Sequence, residues 1–200
     1  PFFTDNPVAI TKASDVSCTH IAITHGHFDH FADCEEIAKA NDATVFAAYE
    51  ICEYLGERGH EKCEPGNPGG RIDAPFGDIS FTQAFHSSSY QGRYLGMPCG
   101  LMIEFGGAIV YHAGDTSLFS DMELLGQIYQ PNIALLPIGD RFTMGPEMAA
   151  VAAEMIGADT AIPMHYNTWP QIEVDVKRFA PKDIEVLVME PGDAIDLAEK

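Results

Sequence analysis

Residues 23–30 read ITHGHFDH, and this stretch sets His25, His27, Asp29 and His30 within six positions, directly after an apolar run. Three imidazoles and a carboxylate packed so closely are hard to account for as core or turn residues. Neutral imidazole and carboxylate are good zinc ligands, with bonds of about 2.0–2.2 Å. His25 and His27 are two residues apart, so on extended backbone their rings point to one side. Asp29 and His30 follow one turn later and can face a second metal beside the first. Two cations about 3.5–4 Å apart need a shared carboxylate between them to offset their repulsion.

The elements that must hold these groups follow from periodicity and punctuation. β-branched and apolar content predicts strands over 16–24, 43–48, 77–85, 100–105, 108–113, 132–138, 159–166 and 184–190. Helices are expected over 31–41, 49–59, 120–130, 145–157 and 171–180. Ser120 is placed to cap the third of these; Pro146 opens the fourth and Gly157 lies past its end. Residues 64–70, EPGNPGG, read as loop, and Gly106-Gly107 as a hairpin turn. Hairpins mixed with strand–helix alternation indicate an α/β or α+β protein with helices covering sheet faces. On this reading His25, His86, Asp115 and His165 each stand at or just past the carboxyl end of a strand, where such folds place their sites.

Composition bounds the function. The 200 residues are 46% apolar, which suits one domain, 1–200, with a sizeable core. No apolar run is long enough for a membrane span. Cys18, Cys34, Cys52, Cys63 and Cys99 are odd in number and form no CxxC pair, so reduced thiols and a cytoplasmic location are expected. Thirty acidic against 11 basic residues give a formal net charge of −19. Such a surface repels polyanions, so the expected partner is a small-molecule substrate and not nucleic acid or an anionic membrane. Self-association into a homo-oligomer stays open.

HGHFDH matches the HxHxDH motif of the metallo-β-lactamase superfamily, and His86, Asp115 and His165 come in that superfamily's order. The segments TQAFHSSS, YHAGDTSLFSDM, ALLPIGDRFTMGPE and IPMHYNTWP resemble a bacterial and archaeal subfamily of predicted metal-dependent hydrolases. That subfamily is related to L-ascorbate-6-phosphate lactonase and, more distantly, to the N-acyl-phosphatidylethanolamine phospholipase D group. The resemblance covers nearly the whole chain. It implies an αββα sandwich with two divalent metal ions at one edge. His25, His27 and His86 would hold the first ion; Asp29, His30 and His165 the second; and Asp115 would bridge them. Zinc suits the histidines, with Mn2+, Fe2+ or Ni2+ as other occupants. PFFTDNP at the start resembles the family's segment just after its first strands, so about two N-terminal strands, on the order of 20 residues, are expected to be absent upstream.

The chemistry this implies is hydrolysis. Two divalent cations, offset by Asp29, Asp115 and a bridging hydroxide, leave a local charge of about +1 and lower the pKa of bound water to about 7. Asp29 doubles as proton acceptor. Arg141, Tyr166 and Asn167 are candidate substrate contacts, and Ser87 to Ser89 candidate pocket groups; a serine nucleophile is unnecessary. His20, His60 and His112 are read as structural. A small ester, lactone or phosphodiester is the expected substrate. A non-catalytic metal-binding scaffold of the same fold is the alternative from another class. A di-iron redox relative is a further one, disfavoured because it calls for a carboxylate where this chain has His27.

Overall fold

The computed structural model describes residues 1–197. In chain order the first elements are β1 (His20–Ala22), α1 (Phe28–Phe31), α2 (Cys34–Asn41), β2 (Thr44–Ala48), α3 (Tyr49–Glu57) and β3 (Cys63–Gly66). Next come β4 (Arg71–Ala74), β5 (Gly77–Gln83), β6 (Ser89–Tyr90), β7 (Arg93–Tyr94), β8 (Cys99–Phe105) and β9 (Ala108–His112). The remainder comprises α4 (Met122–Tyr129), β10 (Ile133–Pro137), α5 (Pro146–Ile156), β11 (Thr160–Met164) and β12 (Glu185–Val186). A parallel three-stranded sheet has the order β1-β2-β3; a seven-stranded mixed sheet has the order β12-β11-β10-β9-β8-β5-β4; β6 and β7 form a small hairpin.

The burial pattern explains the layering. Successive strand side chains point to opposite faces. In β2, Val45 and Ala47 pack with Cys34, Ala38, Ile51 and Leu55 of α2 and α3, whereas Phe46 packs with Ile79, Phe81 and Leu101 of the other sheet. In that second sheet Ile103 sits over the inter-sheet cluster, while Tyr111 and Ile109 pack with Met122, Leu125, Ala149 and Ala153 of α4 and α5. Directly opposed pairs, Ile79 with Ile103 and Phe81 with Leu101, set the register of β5 on β8. Each sheet is therefore apolar on both faces, and the result is the αββα sandwich that the resemblance implied.

Several elements differ from expectation. The first strand is confined to His20–Ala22, and 31–41 divides into α1 and α2. Residues 64–70 are not all loop: β3 runs through Pro65 and pairs with β2. As an edge strand β3 can carry a proline, because the missing N–H faces no partner. Asp121, not Ser120, stands at the start of α4, and it makes no side-chain capping bond. Residues 171–180 do not form a helix; short 3-10 turns at Pro170–Ile172 and Val176–Arg178 take their place. Asn167 accounts for this, since its N–H donates to the Ile172 carbonyl at 2.9 Å and its Oδ1 accepts from the Val174 N–H at 2.8 Å. Those bonds fold the segment back on itself before a helical ladder can start.

Candidate metal centre

Strand direction brings the chemistry to one edge. β9, β10 and β11 are mutually parallel, and β5 and β9 both run antiparallel to β8, so β5, β9 and β11 end on the same side. His86, Asp115 and His165 follow these three strands. The three-stranded sheet is tied to that edge by the Cys99 N–H, which donates to the Thr24 carbonyl at 2.9 Å. This delivers His25 and the loop behind it. His27 is extended, with φ −69° and ψ 154°, and starts α1, which carries Asp29 and His30.

Two groups of donors result. The ligating atoms of His25, His27 and His86 lie within 4.8 Å of one another, and so do those of Asp29, His30, Asp115 and His165. Asp115 links the groups: its Oδ2 lies 3.9 Å from His25 Nε2, 3.5 Å from His86 Nε2 and 3.2 Å from His165 Nε2. All seven residues singled out in the sequence converge.

Local backbone chemistry aims each one. The Asp115 loop turns at Gly114, whose φ of +64° and close approach to the Cys99 carbonyl leave no room for a Cβ. His112 Nδ1 accepts the Gly114 N–H at 3.1 Å, so this histidine shapes the loop. Thr116 Oγ1 accepts from the Phe85 N–H at 3.0 Å, which fastens the His86 loop to the Asp115 loop. His165 is left-handed at φ 57°, a conformation costly for a residue with a Cβ and concentrated at functional sites. Thr24 Oγ1 is 3.1 Å from His25 Nδ1, and Ser87 Oγ is 3.2 Å from His27 Nε2. With those nitrogens occupied, His25 Nε2 and His27 Nδ1 are left facing each other at 3.1 Å. One proton shared between them makes a hydrogen bond, and a cation can take that proton's place.

The electrostatics point the same way. Burial pushes His25 down to about 2, helped by the neighbouring His30. Burial works against the Asp115 carboxylate, yet the surrounding His30, His165 and His25 hold it at about 2. Asp29 is likewise held below the ordinary carboxylate range by His165 and His30, against the effect of burial. Burial opposes a charge on His30, but Asp115 and Asp29 overcome it and raise His30 to about 9. A proton on His30 thus takes the place between two carboxylates that a cation would fill.

The donors fit a divalent metal. His30 Nε2 stands 3.4 Å from Asp115 Oδ1, near enough for charge attraction but not aligned as a hydrogen bond. Both atoms are buried with no hydrogen-bond partner. The pair is held by charge without a hydrogen bond, and a cation in place of the His30 proton would bind both atoms.

The centre forms the floor of a cavity of about 610 Å³, lined by His27, Phe28, Asp29, His86, Ser87, Asp115, Phe142, His165, Trp169 and Gln171. Arg141, Tyr166 and Asn167, the expected substrate contacts, are not in this wall. The Arg141 guanidinium sits 5.6 Å from the Phe142 ring centre; Tyr166 packs against the core under α4 and α5; Asn167 pins the loop that carries Trp169 and Gln171. Periodicity misses Phe28, Phe142, Trp169 and Gln171 because they are isolated loop residues. The available signal was adjacency: Phe28 is embedded in the histidine motif, and Trp169 follows His165 by one turn of chain. A larger hollow of about 690 Å³ between α4 and α5 contains no histidine and lies away from this edge.

Fold and site together define a metal centre on a metallo-β-lactamase scaffold. The chain belongs to the β-lactamase superfamily, the family model "Beta-lactamase superfamily domain" matching residues 2–166, and within it to the UPF0173 metal-dependent hydrolase family. A UPF0173 metal-dependent hydrolase of Bacillus cytotoxicus is 48% identical over 205 residues, covering 98% of this chain and 90% of that one. A relative of the same description from Geobacillus thermodenitrificans is 47% identical with the same coverage. Among solved structures, Igni18, a novel metallo hydrolase from the hyperthermophilic archaeon Ignicoccus hospitalis, has a TM-score of 0.86 at 37% identity, covering 96% of this chain and 87% of that one. No helix among the described residues is long and apolar enough to cross a membrane.

Proposed function

We propose that the chain is a binuclear metal-dependent hydrolase acting on a small ester, lactone or phosphodiester. His25, His27 and His86 would hold one divalent ion, Asp29, His30 and His165 the other, and Asp115 would lie between them. The observation that carries this reading is the convergence of five imidazoles and two carboxylates into two donor groups that share Asp115. When bound, divalent ions supply a nucleophile at neutral pH by lowering the pKa of water to about 7, and they polarise the scissile group.

The residues of the chain do the rest. Asp29 lines the cavity, and its carboxylate is the acceptor for the proton released as water attacks. Thr24 and Ser87 hold the His25 and His27 rings by one nitrogen each, which leaves His25 Nε2 and His27 Nδ1 turned toward each other for the metal. Phe28, Phe142 and Trp169 keep bulk water from the floor. Zinc is the proposed occupant because five of the seven donors are imidazoles. The subfamily that these segments resemble is expected to be related to L-ascorbate-6-phosphate lactonase, which makes lactones one class to assay.

The test uses protein freed of metal and reloaded with Zn2+ or Mn2+. It is assayed on phenyl acetate, a γ-lactone and bis(4-nitrophenyl) phosphate. Turnover of at least one substrate, abolished by chelator and restored by metal, is expected. A fully metal-loaded protein inert on all three would favour the non-catalytic scaffold.

A further inference from the structure

Outside the donor set, the cavity wall consists of three aromatic rings, Phe28, Phe142 and Trp169, and two uncharged polar side chains, Ser87 and Gln171. Among the described residues no lysine or arginine lines it. Six of the chain's basic residues, Lys39, Arg58, Lys62, Arg71, Arg93 and Arg178, are instead paired with carboxylates elsewhere.

The rings are prearranged. Phe28 stacks on Trp169 with centroids 6.1 Å apart and planes at 27°. Phe2 meets both edge-on, at 5.5 Å from Phe28 and 6.2 Å from Trp169. Phe28 and Phe142 are nonetheless 56% and 51% exposed, so much of their apolar surface faces water at the mouth of the cavity. Large apolar rings left in water beside a polar floor are the usual lining of a small-molecule pocket, and the volume lies within the usual range of about 300–1,000 Å³.

We propose that Phe28, Phe142 and Trp169 form a recess for a flat apolar group of the substrate. The substrate class is then an uncharged aromatic carboxylic ester or lactone rather than a phosphorylated molecule. This deepens, and rests on, the hydrolase reading above. A phosphate or carboxylate carried away from the reacting bond would meet no cation in the wall, while the surrounding protein carries −19. A flat ring would cover the exposed faces of Phe28 and Phe142 and displace water from them. Gln171 and Ser87 remain to orient a carbonyl or ether oxygen.

Trp169 is the only tryptophan of the chain, so its fluorescence reports directly on the recess. The probes are acetanilide, an uncharged aryl amide, and phenyl phosphate. Each is titrated against the zinc-loaded and the metal-free protein, and against Phe142→Ala, whose exposed loop position makes loss of fold improbable and easily checked by circular dichroism. Saturable quenching by acetanilide with and without zinc is expected, weakened about 10-fold by Phe142→Ala, with phenyl phosphate binding the metal-free protein no more tightly. In parallel, kcat/KM for phenyl acetate is expected to exceed that for bis(4-nitrophenyl) phosphate. Phenyl phosphate binding the metal-free protein 10-fold tighter than acetanilide does, or acetanilide binding unaffected by Phe142→Ala, would overturn the proposal. Acetanilide binding as expected by a metal-loaded protein inert on phenyl acetate, the γ-lactone and bis(4-nitrophenyl) phosphate would support the recess and overturn the hydrolase reading instead.

Discussion

Nε2 of His165 lies 3.1 Å from Oδ2 of Asp29, across 136 residues of sequence. The contact joins the loop after β11 of one sheet to the short helix that follows β1 of the other. It closes the donor set across the seam of the sandwich, where neither sheet alone supplies enough ligands.

Asp115 is the group both halves share. Asp115→Ala is expected to lower metal content and to reduce activity by more than about 100-fold, the upper range for losing a group that merely supports a ligand. Arg141→Ala, outside the cavity wall, is expected to keep its metal. Elemental analysis of both variants decides the point, and equal metal content in wild type and Asp115→Ala would contradict the bridging role.

Metal uptake is expected to release protons. His30, raised to about 9, carries a proton near pH 7.5 in the metal-free protein and must lose it to ligate. His25, pushed down to about 2, has none to give, and burial also lowers His27 and His86. His30 therefore accounts for about one proton per protein at pH 7.5. The sign follows: affinity rises with pH while His30 is still protonated and levels off above about 9. Calorimetry in two buffers of different ionisation enthalpy measures the release. Release at pH 7.5 no greater than the ionisation of the metal-bound water alone would show that His30 is already neutral.

Gly139, after β10, supports the left-handed turn at His165. A Cβ there would meet the His165 carbonyl oxygen at 2.4 Å. Gly139→Ala is expected to cost about 1–3 kcal/mol, as overpacking usually does, and to weaken metal binding by shifting His165. Urea unfolding of the metal-free variant checks the first effect and a metal titration the second. A variant that keeps both values would mean the loop relaxes at no cost.

Nucleic acid is expected not to bind. The 11 basic residues include only one adjacent pair, Lys177-Arg178, and Arg178 is already paired with Glu147. A duplex would have to lay many phosphates on acidic surface without a basic stripe to receive them. Gel-shift assays at about 0.15 M salt should show no complex at micromolar protein. A complex there would show that the negative charge does not exclude a nucleic-acid partner.

The metal donors were legible because their pattern is local. Four of the seven sit within six positions, a density that neither core nor turn requires. The apolar runs that became β5, β9 and β11 were readable as well, since burial on two faces leaves a β-branched and aromatic signature. Other features depended on contacts between distant segments. Residues 171–180 carry a helical pattern, but the bonds from Asn167 hold the chain in short turns. Pro65 looks like loop until β2 offers it an edge. The aromatic wall was also hidden, because Phe28, Phe142 and Trp169 are separate loop residues with no shared period. By itself the sequence picked out the seven candidate metal donors that converge, and indicated that strands present several of them. Only the tertiary structure decided that β5, β9 and β11 end on one edge and that three uncharged rings surround the floor. Strand direction and loop closure come from pairing and packing between segments far apart in the chain, and no short window of residues encodes them.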